Sequence, residues 1–127
     1  MTAKTRTFVC PVDAVVQLIG GKYKSVILWH LAQKPQRYSE LKRLVPASTA
    51  KMLTQQLREL EADDLVHREV FPVVPPHTEY SLTPFGQTLM PVLQAMCSWG
   101  NDYVKKIEKE QGFSPLKGGA SSGEEAA

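Results

Sequence analysis

Between Thr49 and Glu61 the chain reads Thr-Ala-Lys-Met-Leu-Thr-Gln-Gln-Leu-Arg-Glu-Leu-Glu. At about 100° per residue, a helix over this stretch places Leu53, Leu57 and Leu60 on one face and Lys51, Gln55 and Arg58 nearly opposite. Lysine and arginine pair with phosphates or guanine edges, glutamine can pair with adenine through two hydrogen bonds, and a helix fits the major groove of DNA. Thr49 and Thr54 add hydroxyls suited to phosphate oxygens. A charged row opposite an apolar row is also the ordinary pattern of a solvated surface helix, so the surroundings must decide between the two.

Charge distribution favours the first. Residues 1–58 hold ten Lys and Arg against two Asp and Glu, and residues 59–127 hold five against eleven, beneath a net charge of +2. The basic half therefore ends with the candidate helix, which is the footprint of a phosphate-binding surface whose affinity comes largely from counterion release. With 127 residues, 43% apolar and 22% charged, the chain has room for one globular domain around one core. Its apolar runs are too short to span a bilayer, and Pro11 and Asp13 interrupt the stretch after Phe8 and Val9 before a signal segment could develop. The expectation is a cytoplasmic protein without membrane contact. Cys10 and Cys97 lie far apart and match no zinc spacing, so neither a metal nor a cofactor is expected.

The elements that would hold the cationic row follow from caps and breakers. Residues 1–9 read as a flexible arm, 10–111 as the folded domain and 112–127, rich in Gly, Ser, Ala and Glu, as a disordered tail. Pro11 after Cys10 opens a first helix that Gly20 and Gly21 close, the glycines supplying a left-handed stop. A second helix runs from about Lys22 to Gln33, with Val26, Ile27 and Leu31 toward the core, and ends at Pro35. Arg37 and Tyr38 make a brief strand, and Ser39 caps a third helix to Leu44. After the turn at Pro46, Thr49, with Ser48 as a competitor, caps the fourth. Third helix, tight turn and fourth helix form a helix-turn-helix. Leu65–Phe71 and His77–Leu82 read as a hairpin with a stiff tip, Pro72 to Pro76, and a hairpin in that place is a wing. Thr83 and Pro84 then start one long helix carrying Leu89, Val92, Leu93, Met96 and Trp99 toward Val104 and Ile107. That apolar content exceeds the needs of so small a domain and points to a second copy of the chain.

The fold class expected is thus mainly α with a small β-hairpin wing, dimerising through terminal helices. In this order the chain resembles winged helix-turn-helix regulators of the HxlR type, related in architecture to MarR-like regulators. The resemblance covers Cys10 to Gly100 and is carried by Cys10-Pro-Val, Leu18-Ile-Gly-Gly-Lys22, Tyr38-Ser-Glu-Leu41, Lys51-Met-Leu-Thr-Gln55, Leu57-Arg-Glu-Leu-Glu61, Pro75-Pro76, Glu79-Tyr-Ser-Leu-Thr83 and Trp99-Gly100. It implies a homodimeric bacterial transcription regulator on a near-palindromic double-stranded operator, with one fourth helix per subunit in successive major grooves. Occupying promoter DNA most often represses by excluding polymerase, with activation, as in some relatives, the alternative. The chain departs from the family pattern at Tyr23, where Trp is usual, at Trp29, where a polar residue is common, at Ala50, where Gln is usual, at Asp64, where Gly is usual, and at His77, where Arg is usual.

The DNA-binding candidates are Thr49, Lys51, Thr54, Gln55 and Arg58 of the fourth helix and Arg68 and His77 of the wing, with Arg37, Lys42 and Arg43 as secondary phosphate contacts. For Arg58 an ion pair with Glu61 one turn on stands beside the DNA reading. Cys10 would cap the first helix, where free backbone N–H groups and the nearby Lys4 and Arg6 favour an anion and Asp13 opposes one. The resemblance makes Cys10 a redox-sensing candidate for a small electrophile or oxidant, and an inert packed thiol is the alternative. Cys97 reads as packing, with a Cys10 to Cys97 disulfide between subunits left open. Met90, Met96, Trp29 and Trp99 suit either a core or an effector pocket. Two rival functions stand beside the regulator: a winged-helix protein-interaction module, and a thiol enzyme using Cys10, for which no base and orienting group is evident.

Overall fold

Proline and polar caps set most helix ends. In the computed structural model, which describes residues 5–116, the elements are α1 (Pro11–Ile19), α2 (Lys24–Gln33), β1 (Gln36–Arg37), α3 (Tyr38–Leu44), α4 (Ala50–Ala62), β2 (Val66–Phe71), β3 (His77–Leu82), α5 (Pro84–Gln87) and α6 (Met90–Gln111). The chain forms two compact units, one up to Met90 and one from Pro91. The outer parts of the expected arm and tail, residues 1–4 and 117–127, lie outside the described residues.

In the first unit Cys10 is the extended residue before α1, with Pro11 in the first turn, where its missing N–H leaves nothing unpaired. The glycine pair closes α1 for a reason other than the expected left-handed stop. Gly20 has φ −82°. A Cβ there would lie 2.2 Å from the Val16 carbonyl oxygen, and one on Gly21 would meet Gln56 Oε1 at 2.7 Å and Lys24 Cδ at 2.9 Å. Both are needed for space, Gly20 against the last turn of α1 itself and Gly21 so that the start of α2 can approach α4. On α2 the buried positions are Lys24, Ile27, Leu28 and Leu31, spaced for one helical face. Val26, expected in the core, is 41% exposed because it lies about 100° from that face.

The helix-turn-helix is built as expected, with the third helix capped two residues early. Arg37 rather than Ser39 precedes α3, and its N–H donates to Glu40 Oε1 at 2.7 Å, the glutamate half of a capping box. That bond holds the Glu40 carboxyl below the usual carboxylate range. Thr49 Oγ1 accepts from the Met52 N–H at 3.0 Å and caps α4, while its rival Ser48 is buried and donates to the Val45 carbonyl at 2.7 Å. Leu53, Leu57 and Leu60 are at most 1% exposed and join Ile27, Leu28, Leu41 and Leu65 in the core. Each such side chain contributes about 1.5–3 kcal/mol by leaving water. After α4 the Leu65 N–H reaches back to the Leu60 carbonyl at 3.0 Å, and Asp64 between them takes φ 61°. A left-handed turn is therefore required at the position where the resemblance expects glycine.

The wing is more than a hairpin. β3 is the centre of a three-stranded antiparallel sheet in the order β1-β3-β2, with Gln36 opposite Tyr80 on one side and Arg68 opposite Tyr80 on the other. The brief strand ahead of α3 thus fastens the wing to the helix-turn-helix.

The expected single long helix is two. Thr83 Oγ1 caps α5 by accepting from the Gly86 N–H at 2.8 Å and also donates to the Asp64 carbonyl at 2.6 Å. Pro91 then has no N–H for the carbonyl of Gln87, four residues back, so α5 stops there and α6 starts afresh at Met90. In the second unit, Val92, Met96, Trp99 and Tyr103 recur at helical spacing along α6, between 37% and 70% exposed, with the last two rings stacked at 5.7 Å. Cys97, expected as packing, is only half-buried, with Asn101 Nδ2 3.9 Å from its sulfur. Among the described residues no helix is long and apolar enough to cross a membrane.

Candidate nucleic-acid interface

With its leucines buried, α4 presents Ala50, Lys51, Gln55 and Arg58 to solvent. Lys51 stands free of any partner among the described residues, as a phosphate-seeking ammonium should. Thr49 has its oxygen engaged as the cap but keeps its hydroxyl proton for an acceptor.

Thr54, Arg58 and Arg68 are brought together. With Tyr38, Glu61, Thr78 and Tyr80 they line one polar cleft of about 340 Å³ between α4 and the sheet. Tyr38 Oη lies 3.4 Å from both the Ala50 carbonyl and Thr54 Oγ1, tying the start of α3 to the first turns of α4. Tyr80 is 6% exposed and closes the cleft floor; burial pushes its phenol up, and a hydrogen bond with Arg68 works against that shift. Two guanidiniums thus face one carboxylate in the cleft, leaving a net positive seat beside the outward row of α4. Arg58 and Glu61 share the cleft, yet no ion pair joins them among the described residues.

His77 does not join this group. Strand register puts Arg68 and Tyr80 on one face of the hairpin and Phe71 and His77 on the other, where their rings stack at 4.9 Å. Glu69 and Glu79 are directly paired on that second face, so His77 stands among acidic rather than basic neighbours. The secondary candidates lie along α3 and its cap, with Arg37 and Arg43 exposed and Lys42 half-buried.

Gln55 is already oriented. Its Nε2 donates to Glu59 Oε2 at 2.7 Å, and the other oxygen of Glu59 meets the Lys24 ammonium at 2.6 Å. Lys24 is 7% exposed on α2, so a buried charge anchors an exposed amide on α4. Lys24, Tyr38 and Tyr80 were not among the residues expected in the interface because each gains its place through contacts distant in sequence, and Glu59 joins them through Lys24 as well as through Gln55 one helical turn away.

Cys10 is exposed and unpaired by any disulfide. The segment before it is tethered: the Val9 N–H donates to Asp13 Oδ2 at 2.9 Å, Gln17 Nε2 donates to the Thr7 carbonyl at 3.2 Å, and Arg6 pairs with Asp63 at the end of α4 at 3.1 Å. Asp13, expected to oppose an anion at Cys10, accepts from the Val9 N–H and from Gln17 Nε2. Among the described residues no group of three metal-ligating side chains is present.

A helix-turn-helix with a cationic outward row, followed by a sheet-anchored wing, defines a winged-helix DNA-binding protein. Residues 18–108 match the family model described as HxlR-like helix-turn-helix, and the chain belongs to that family. It is similar to the HTH-type transcriptional regulator YdeP of Bacillus subtilis, 50% identical over 100 residues that cover 79% of this chain and 78% of that one. The crystal structure of the regulator YtcD, also of Bacillus subtilis, is 48% identical with a TM-score of 0.71, over 76% of this chain and 99% of that one. The redox regulator HypR is similar in two solved forms: oxidised, 49% identical with a TM-score of 0.70 over 73% of this chain and 96% of that one, and reduced, 46% identical with a TM-score of 0.73 over 79% and 99%. The protein is a DNA-binding transcriptional regulator, not an enzyme, and the interaction-module and thiol-enzyme alternatives give way.

Proposed function

We propose that the protein is a homodimeric repressor that seats one α4 per subunit in successive major grooves of a near-palindromic operator and releases it on modification of Cys10 or binding of a small effector. The observation carrying this reading is the exposed row Lys51, Gln55 and Arg58 on a helix whose opposite face is fully buried. Lys51 and Arg58 serve phosphates or guanine, Gln55 reads a base, and Thr49 and Thr54 bond phosphate oxygens. Arg68 works with Arg58 from the cleft. His77 makes the weakest contact, being set among acidic residues on the far face of the hairpin.

Dimerisation is supported by exposed apolar rows on both terminal helices: Val12 and Val16 on α1, at 70% and 57%, and Val92, Met96, Trp99 and Tyr103 on α6. Apolar rows of this size on a regulator that must span two half-sites are most simply covered by a second copy. Redox control is supported by the exposure of Cys10 and by similarity to a redox regulator solved in two oxidation states. The domain with its dimerising helices then runs from 10 to 111, between an N-terminal arm and a C-terminal tail.

Selection of bound fragments from genomic DNA, with and without diamide, tests the reading alongside sedimentation. The expected result is a dimer that enriches paired half-sites about one helical turn apart and loses them on oxidation, a loss absent in Cys10→Ser. Lys51→Ala should lower the slope of log affinity against log salt by about two, one per subunit. A monomer at micromolar concentration that enriches no duplex refutes it.

A further inference from the structure

We propose that Lys24 and Glu59 set the base preference of the protein by fixing which way the Gln55 amide faces. The inference rests on the reading that α4 lies in the major groove. A carboxylate only accepts hydrogen bonds, so the Gln55 group 2.7 Å from Glu59 Oε2 must be its NH2 end. That uses one of the two amide hydrogens. The second hydrogen and the carbonyl oxygen remain for DNA, in a fixed order: donor toward the Glu59 end of the helix, acceptor away from it.

Glutamine on an exposed helix face would ordinarily turn its amide over freely, since the two ends have nearly the same shape. Here the turned-over state would set the carbonyl oxygen against a carboxylate. Glu59 itself is held in place: Lys24 Nζ binds its other oxygen at 2.6 Å, and the lysine side chain is 8% exposed against 40% for the glutamate. A buried ammonium needs a counter-charge, so Lys24 cannot release Glu59 without cost. Gly21 completes the arrangement, because a Cβ there would collide with Lys24 Cδ at 2.9 Å. Lys24 and Glu59 are positioning residues acting through Gln55.

The chemistry this selects is a base edge carrying an amino group. Adenine offers N6–H to the fixed acceptor and N7 to the remaining donor, and cytosine offers N4–H to the acceptor. Guanine and thymine present acceptors where the amide oxygen waits, with the Glu59 charge close behind, and are rejected. The preference at one position of each half-site is thus for adenine, then cytosine, and is decided from α2 as much as from α4.

Selection from randomised double-stranded oligonucleotides, followed by affinity measurements on the selected site with that one base pair varied, tests this. Wild type should favour adenine there about five- to a hundredfold, and Gln55→Ala should erase the preference. Glu59→Gln accepts either face of the amide, and Lys24→Met removes the ammonium that holds one oxygen of Glu59, loosening the carboxylate against which Gln55 is set. Both should cut the preference at that position severalfold while leaving discrimination at the other positions intact. Combining either with Gln55→Ala should add no further loss. Lys24→Met keeps the test open should Glu59→Gln fold poorly, and near-ultraviolet circular dichroism reports the fold of each. If wild type selects a site and both variants keep its full preference, or weaken all sequences alike, this inference is overturned while the function stands. If wild type selects no sequence at all, the proposed function falls and takes this inference with it.

Discussion

Removing Glu59 should cost far more stability than removing Lys24, although the two form one ion pair. The pair closes at 2.6 Å, but its members sit in different surroundings, with the lysine side chain 8% exposed and the glutamate 40%. Glu59→Ala leaves an ammonium buried beneath α4 with no partner. Breaking a buried pair this way costs about 3–5 kcal/mol, and the partial hydration of Glu59 brings the expectation to the lower end, about 3 kcal/mol. Lys24→Met keeps the apolar stem, removes the buried charge, and leaves a carboxylate that water and the Gln55 amide still solvate. Replacing a buried charge by an apolar group of similar shape is close to neutral, so the expected cost is within about 1 kcal/mol. The gap of about 2 kcal/mol corresponds to roughly 8 °C in midpoint for a domain of this size. Urea and thermal unfolding followed by circular dichroism measure it, at one fixed protein concentration because a dimer's stability depends on concentration. If Lys24→Met proves as costly as Glu59→Ala, the pair is held by packing of the lysine stem rather than by compensation of its charge, and the reasoning is wrong.

Other perturbations follow from single contacts. Asp64→Gly should raise stability by about 0.5–1 kcal/mol, because residue 64 has φ 61° and its hydrogen bonds come from its backbone, the N–H to the Glu61 carbonyl and the carbonyl from Thr83, both of which glycine keeps; an unchanged urea midpoint would show that the aspartate is at ease there. Gly86→Ala should destabilise by about 1–3 kcal/mol, since the new Cβ would lie 2.2 Å from the rigid Leu65 carbonyl oxygen, and a neutral effect in calorimetry would contradict the close approach. Burial lowers the His30 pKa below 6.5, so the unfolded chain binds the extra proton first. Stability is therefore complete above about pH 6.5 and declines as pH falls toward the lowered folded value. His30→Gln should remove that part of the slope between pH 7 and 5, and an unaltered slope would argue against the burial.

The sequence was most legible where local spacing and end chemistry agree. Leucines at 53, 57 and 60 announce α4 and its buried face, Thr49 its start, and the stiff proline tip its following hairpin. Asp64 stands where the resemblance expects glycine, and the backbone there does take a left-handed turn. Pro91 carried the signal for the break between α5 and α6, but the run of apolar residues across it reads as continuous helix. Val26 was lost because α2 is apolar on most sides, and periodicity cannot choose a face when there is no polar face to exclude.

What the sequence determined by itself was the order of the elements and the existence of a cationic reading helix, since helices and caps are set by residues within a few positions of one another. Which reading residues act together was decided only by the fold. Pairing of β1 with β3 across more than forty residues swings Arg68 to the α4 side of the sheet and His77 to the other. The approach of α2 to α4 brings the Lys24 ammonium beneath Glu59 and so fixes Gln55. Strand register and charge compensation are long-range conditions, met only when distant segments meet, and no local pattern encodes them.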